Sequence, residues 1–259
     1  MLATSLGTSF AAPLVSHAAL RVLGAYPALT ANGVRALLLA SAKPTPSVIE
    51  SDSEIVARTQ QARLTGYGQV SAERAEASND HRVVLLAEEA MRVNDMHVFT
   101  ATLPSSFTER GGWRRITVAL AYDPPVRPTR LDYLASRMDF WAYCGVTVEQ
   151  IRNFYAAPLD DMNAVPAPLT KAHLQLQPST TMRSRGANQW ASRKFPRPFK
   201  SGSSELVIVV RNTNRWDGDD NKQRYALAVV LERDPWYSTL YAELRAQFEL
   251  LAEAEIELQ

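Results

Sequence analysis

The residues of this chain best suited to chemistry lie near its start, in Gly7-Thr8-Ser9-Phe10-Ala11-Ala12-Pro13. A serine hydroxyl is a weak nucleophile until a base takes its proton. Held at the mouth of a helix, it is presented by a rigid element. The free backbone N–H groups and the positive helix end then face any oxyanion that develops beside it. A glycine ahead of such a serine suits close backbone approach. The chemistry this arrangement would serve is attack on a carbonyl carbon, with Ser9 forming the covalent intermediate. The plainer alternative is that Ser9 only caps a helix.

A nucleophile needs a base within about 3 Å. The histidines are His17, His81, His97 and His173. His17 follows Ser9 on the same expected helix, about 12 Å further along the axis at about 1.5 Å per residue. It therefore reads as a packing histidine. The other three lie in or beside a β-rich region. Asp217, Asp219 and Asn221 in "WDGDDN" have the D-x-D-x-N spacing with which calcium loops begin. Lys222 stands where such a loop needs glycine, and Ala228 where it needs glutamate. A solvated hairpin tip is the favoured reading, with calcium the one candidate metal and no cofactor expected. The segment "RSRGANQWASRKFPRPFK" sets Arg183, Arg185, Arg193, Lys194, Arg197 and Lys200 among Trp190, Phe195 and Phe199. Basic and aromatic residues together can hold nucleic acid. A charged sheet edge that resists further pairing is the commoner use, so nucleic acid is not expected as a partner.

The elements that position these residues follow from patterning. A helix is expected over 9–24, with Ser9 as cap or first-turn residue, Pro13 near the first turn and Gly24 as its stop. Its small Ala11, Ala12, Ala18 and Ala19 predict a buried helix. Thr30 is expected to cap a second helix reaching Ala42, with Leu29 and Val34 as a hydrophobic staple and Lys43, Pro44 and Pro46 ending it. Short β-type runs dominate 82–233. In "RMDFWAYC" Met138, Phe140, Ala142 and Cys144 alternate with Arg137, Asp139, Trp141 and Tyr143, a period of two. "ELVIVV" and "YALAVVLE" are read as two strands joined by a long hairpin loop. Ser238 is placed as the cap of a last helix striped with Leu240, Leu244, Phe248 and Leu251.

Composition bounds the rest. The chain has 259 residues, a net charge of +1 and one cysteine, Cys144. The charge gives no reason to expect a polyanion partner, and one cysteine forms no internal disulfide. No run reaches the ~18 apolar residues of a membrane span, and no basic region precedes the apolar N-terminal segment as in a signal peptide. No membrane association is expected, and a cytoplasmic, bacterial location is the expectation.

"GTSFAAP" resembles the nucleophile motif of subtilisin-like serine proteases, the subtilases, whose pattern is Gly-Thr-Ser-x-Ala-x-Pro. Gly7, Thr8, Ser9, Ala11 and Pro13 match it. The helix that follows, the "YP" turn at Tyr26 and Pro27, the run "VRALLLASA" and the turn Gly66-Tyr67-Gly68 with Val70 extend the match over about 3–75. "ITVALAYDPPVRPTRLDYL" looks like the β-sandwich appended to a group of large bacterial subtilases, often encoded beside an AAA-type ATPase, a longer match over most of 82–245. The resemblance implies a mixed α and β fold. Residues 1–80 would be the C-terminal helices of a subtilisin-like α/β domain. Residues 81–259 would be an antiparallel β-sandwich with a C-terminal helix. It implies a serine endopeptidase acting on protein or peptide substrates through a Ser9 acyl-enzyme, with the Ser9 N–H donating to the oxyanion. Subtilases run in the order Asp, His, Ser, with an oxyanion Asn between His and Ser, and Met1–Thr8 hold none of the three. Those groups would come from an upstream peptidase portion, in cis or in trans, and the chain alone would be inactive. It would be a fragment, a truncated product or half of a split enzyme. The alternative is a non-enzymatic β-sandwich module for partner binding or packing, with a remnant peptidase segment.

Overall fold

The computed structural model describes residues 7–44, 64–109, 111–156, 169–199, 204–216, 222–236 and 239–246. Helices α1 (Thr8–Ala25), α2 (Ala31–Ser41) and α3 (Ala72–Glu76) come first. Then follow β1 (Arg82–Arg92), β2 (Met96–Thr102), α4 (Ser105–Thr108), β3 (Arg114–Tyr122), β4 (Ser136–Cys144), α5 (Val148–Ala156), α6 (Thr180–Arg183), β5 (Asn188–Phe195), β6 (Glu205–Asn214) and β7 (Lys222–Arg233). Residues 240–246 are helical.

The strands form two antiparallel sheets, ordered β1-β7-β3-β5 and β2-β6-β4. Odd strands make one sheet and even strands the other, so every connection between consecutive strands changes sheet. The hairpin expected between β6 and β7 is therefore absent. The two strands lie in different sheets because each carries a full apolar face that only the facing sheet can cover. Residues 217–221, with Asp217, Asp219 and Asn221, fall outside the described residues.

Side-chain alternation assigns the faces. Ile116, Val118, Leu120, Tyr225, Leu227 and Leu231 point between the sheets, where they meet Met138, Phe140, Leu206 and Ile208. Leu240 and Leu244 join this cluster, in line with the stripe expected for the last helix. Ser238, Phe248 and Leu251 lie outside the described residues. The outer faces are apolar as well, as in sheets covered on both sides. Trp141, Tyr143, Val207 and Val209 meet Ile151 and Tyr155 of α5. Ala119, Ala121, Ala226 and Ala228 give α2 a close seat, filled by Val34, Leu37 and Leu38. β5 is the outer strand of its sheet, which puts Arg193 and Lys194 on a charged edge.

α2 matches its sequence reading: Thr30 Oγ1 accepts from the Gly33 N–H at 3.2 Å. Of the two places expected for Ser9, the first turn is the one it takes, because the N-cap of α1 is Gly7. α1 differs from its sequence reading in two ways. It runs through Gly24 to Ala25, and Tyr26 closes it by donating its N–H to the Val22 carbonyl at 2.9 Å. Its surface is mostly uncovered, because only Ala18 and Val22 are buried. The alanines at 11 and 12 face solvent, and Phe10 and Leu14 are 60% and 71% exposed.

Candidate active site

Ser9 occupies the second position of α1, directly after an extended Gly7 and Thr8 at the first. All three are exposed. No side chain caps this helix end. The Phe10 N–H donates to the Gly7 carbonyl at 3.1 Å, while the N–H groups of Thr8 and Ser9 come too early in the helix for an intrahelical acceptor and lie beside the Ser9 hydroxyl. Pro13 is the sixth helical residue, beyond the first turn where its missing N–H would cost little. It removes the usual helical donor to the carbonyl four residues back, that of Ser9. The backbone around Ser9 is therefore held by fewer hydrogen bonds than a plain helix would give it.

Below Ser9 the helix presents Phe10, Leu14 and Val15 to solvent. A groove of about 700 Å³ runs between α1 and residues 68–73, with Leu14, Val15 and His17 on one wall and Val70 and Ser71 on the other. Its floor is fixed by the glycine turn. Gly66 and Gly68 have φ of 62° and 113°, which glycine adopts at no steric cost. A Cβ on Gly68 would lie 2.1 Å from the Lys43 carbonyl oxygen, across the paired bonds of Lys43 and Gln69 at 2.9 Å each. Tyr67 packs on Trp190 of β5 with ring centroids 5.9 Å apart. Arg21 ties α1 to α3 through Glu73 at 3.0 Å and Glu76 at 2.8 Å.

Among the described residues no histidine is hydrogen-bonded to Ser9. His97 shares a 2.7 Å hydrogen bond with the Tyr225 hydroxyl. His173 stacks on Tyr143 with centroids 5.4 Å apart; burial and the nearby Arg183 and Arg193 push it down to about 4. The His81 carbonyl accepts from the Arg233 N–H at 2.8 Å. His17 lines the groove, two turns from Ser9. The described residues hold no cluster of three metal-ligating side chains, and no helix among them is long and apolar enough to cross a membrane.

The small alanines of α1 predict burial, yet a helix parted from the sheet of a complete peptidase domain would keep a bare face, and α1 has one. Its signal is the run "FAAPLV", which is apolar at neighbouring as well as at helically spaced positions, more than one stripe would need.

The chain spans about half the length of the curated relative it matches. That relative, the uncharacterized protein y4bN of Sinorhizobium fredii, is 32% identical over 225 residues, 87% of this chain and 52% of the relative. A solved structure, the periplasmic inhibitor of g-type lysozyme PliG from Aeromonas hydrophila, covers 59% of this chain and 87% of its own at 12% identity. Its TM-score of 0.22 is too low to relate the two folds. Residues 1–69 match the model of the subtilase family, and the segment that carries Ser9 is thus subtilase-like.

Proposed function

We propose that Ser9 is the nucleophile of a subtilisin-like serine endopeptidase. Its hydroxyl oxygen attacks the scissile carbonyl, its proton passes to a histidine base, and the tetrahedral oxyanion is held by the Ser9 N–H at the α1 N-terminus. Collapse releases the amine and leaves the acyl group on Ser9, which water then removes. The base, its orienting acid and the Asn donor come from a peptidase portion outside these 259 residues, in cis or in trans. The observation that carries this reading is the exposed Ser9 at the uncapped mouth of a helix whose apolar side, Phe10, Leu14 and Val15, stands uncovered. A soluble monomer rarely keeps such a face bare. It is the surface on which the rest of a peptidase domain would close.

A second reading has its own support. α2 is buried along most of its length on β3 and β7, as a packing module with a remnant helical segment would be. Fluorophosphonate labelling separates the two. In the natural context, an active nucleophile takes the label at Ser9 and loses it in Ser9→Ala. A packing module takes none.

A further inference from the structure

On the far side of the paired sheets from β1 and β2, a cavity of about 270 Å³ opens between the β4 edge and residues 173–183. One wall is Phe140 and Ala142. The others are largely polar: Gln175, Gln177, Ser179, Thr181 and Arg183. Arg183 is only 4% exposed. Its guanidinium lies 3.9 Å from the centre of the Phe140 ring. Nη1 donates to the Pro178 carbonyl at 3.2 Å, and Nη2 donates to the Phe140 carbonyl and, at 3.0 Å, to Thr180 Oγ1. Every one of these acceptors is neutral. Nε is buried without a hydrogen-bond partner. The acid that acts most strongly on it, Asp139, has its Oδ2 paired at 2.8 Å with Nε of Arg137.

A buried cation held by two carbonyls, a hydroxyl and a ring, with a carboxylate acting on it only through space, keeps much of its desolvation cost uncompensated. Burial pushes Arg183 down to about 10, which leaves it charged at neutral pH. Arg193 adds to the positive field, donating to the Leu174 carbonyl at 2.9 Å. The space is far larger than one water, which takes about 30 Å³. It falls below the roughly 300–1,000 Å³ of sites for drug-sized ligands. Hydroxyl and amide donors beside an unpaired guanidinium N–H match the acceptor-rich surface of a small anion.

We propose that this cavity binds a small oxyanion, a carboxylate or phosphate group, with Arg183 as its buried counter-charge. Nε supplies the charged hydrogen bond, and Ser179, Thr181 and the two glutamines supply neutral ones.

Calorimetric titration of the whole chain with inorganic phosphate and with acetate, at constant ionic strength set by sodium chloride, tests this. Saturable one-site binding of at least one anion is expected; which one binds tells a phosphoryl from a carboxyl ligand. Arg183→Gln should weaken binding about tenfold or more, the scale of a lost charged hydrogen bond. Arg183 also holds the β4 backbone, so that variant risks misfolding. Thr181→Val leaves those contacts intact and should weaken binding several-fold with an unchanged circular dichroism spectrum. No saturable binding of either anion overturns the proposal. So does binding that both variants, folded, leave unchanged.

Discussion

Glu88 of β1 and Gly33 of α2 approach so closely that a Cβ on Gly33 would lie 2.3 Å from a Glu88 carboxylate oxygen. The same carboxylate accepts from the Thr30 N–H at 3.1 Å and from the Thr30 hydroxyl. A negative group thus sits at the N-terminus of α2, where the helix dipole favours it, and staples the helix to the sheet.

This contact fixes the sign of a substitution. Alanine normally gains about 0.5–1 kcal/mol over glycine inside a helix. Here Gly33→Ala must displace the Glu88 carboxylate from Thr30, so it should destabilise by about 1–2 kcal/mol. In a Glu88→Ala background the obstacle is gone, and Gly33→Ala should become neutral or stabilising. Chemical denaturation of the four proteins of this cycle measures the coupling. Additive effects would mean that the two residues do not share the contact.

Glu232 on β7 joins the first helices to the sheets. Its carboxylate meets Arg74 of α3 at 2.7 Å, Arg115 at 3.5 Å and Arg82 at 3.8 Å. Burial alone would raise its pKa, but the charge and hydrogen bond of Arg74, then the charges of Arg115 and Arg82, outweigh it and hold the group below the ordinary carboxylate range. A depressed folded pKa stabilises above the unfolded value and is lost as pH falls through the folded one. Glu232→Gln leaves buried Arg82 without its acid and should cost about 3–5 kcal/mol at pH 7. The difference between variant and parent should shrink as pH drops below the unfolded carboxylate value. A pH-independent difference would contradict this role.

Asp139 has the opposite sign. Burial pushes it up to about 6, against the pull of Arg137 and Arg183. A raised folded pKa favours the protonated state, so its stabilisation is full below the unfolded pKa near 3.8 and is lost as pH rises through about 6. The stability of Asp139→Asn relative to the parent should therefore increase between pH 4 and 7. Thermal midpoints over that range test it, and a constant offset would show that Asp139 titrates normally.

Much of this fold was legible because its signals are local. The Thr30 cap, the period of two in Met138–Cys144 and the glycine turn at 66–68 each depend on neighbours in sequence. What the sequence hid depends on distant partners. Nothing between Leu206 and Leu231 announces that β6 and β7 part to different sheets. That choice is made by two apolar faces needing two different covers. The alanines of α1 resembled a buried face, yet burial requires a partner surface, and the described residues supply one only around Ala18 and Val22. The first-turn place of Ser9 was legible from local spacing, whereas the cavity beside Arg183 brings β4 to a segment some 40 residues later.

The bare side of α1 makes its own prediction. Leu14→Glu changes a residue 71% exposed and should shift stability of this chain by no more than about 0.5 kcal/mol. It should nevertheless block closure of a complementary peptidase portion, seen as loss of co-purification. A large stability loss in the chain alone would mean that the face is already covered.

The most direct test is proteolysis of an unstructured protein by the purified chain, with and without the proposed peptidase portion supplying Asp, His and Asn. The chain alone should show essentially no turnover, since among the described residues no histidine is hydrogen-bonded to Ser9 to take its proton. Adding that portion should restore hydrolysis, and Ser9→Ala should abolish what is restored. Robust proteolysis by the chain alone, or restored activity that survives Ser9→Ala, would contradict the assignment of Ser9 as a nucleophile completed from outside these residues.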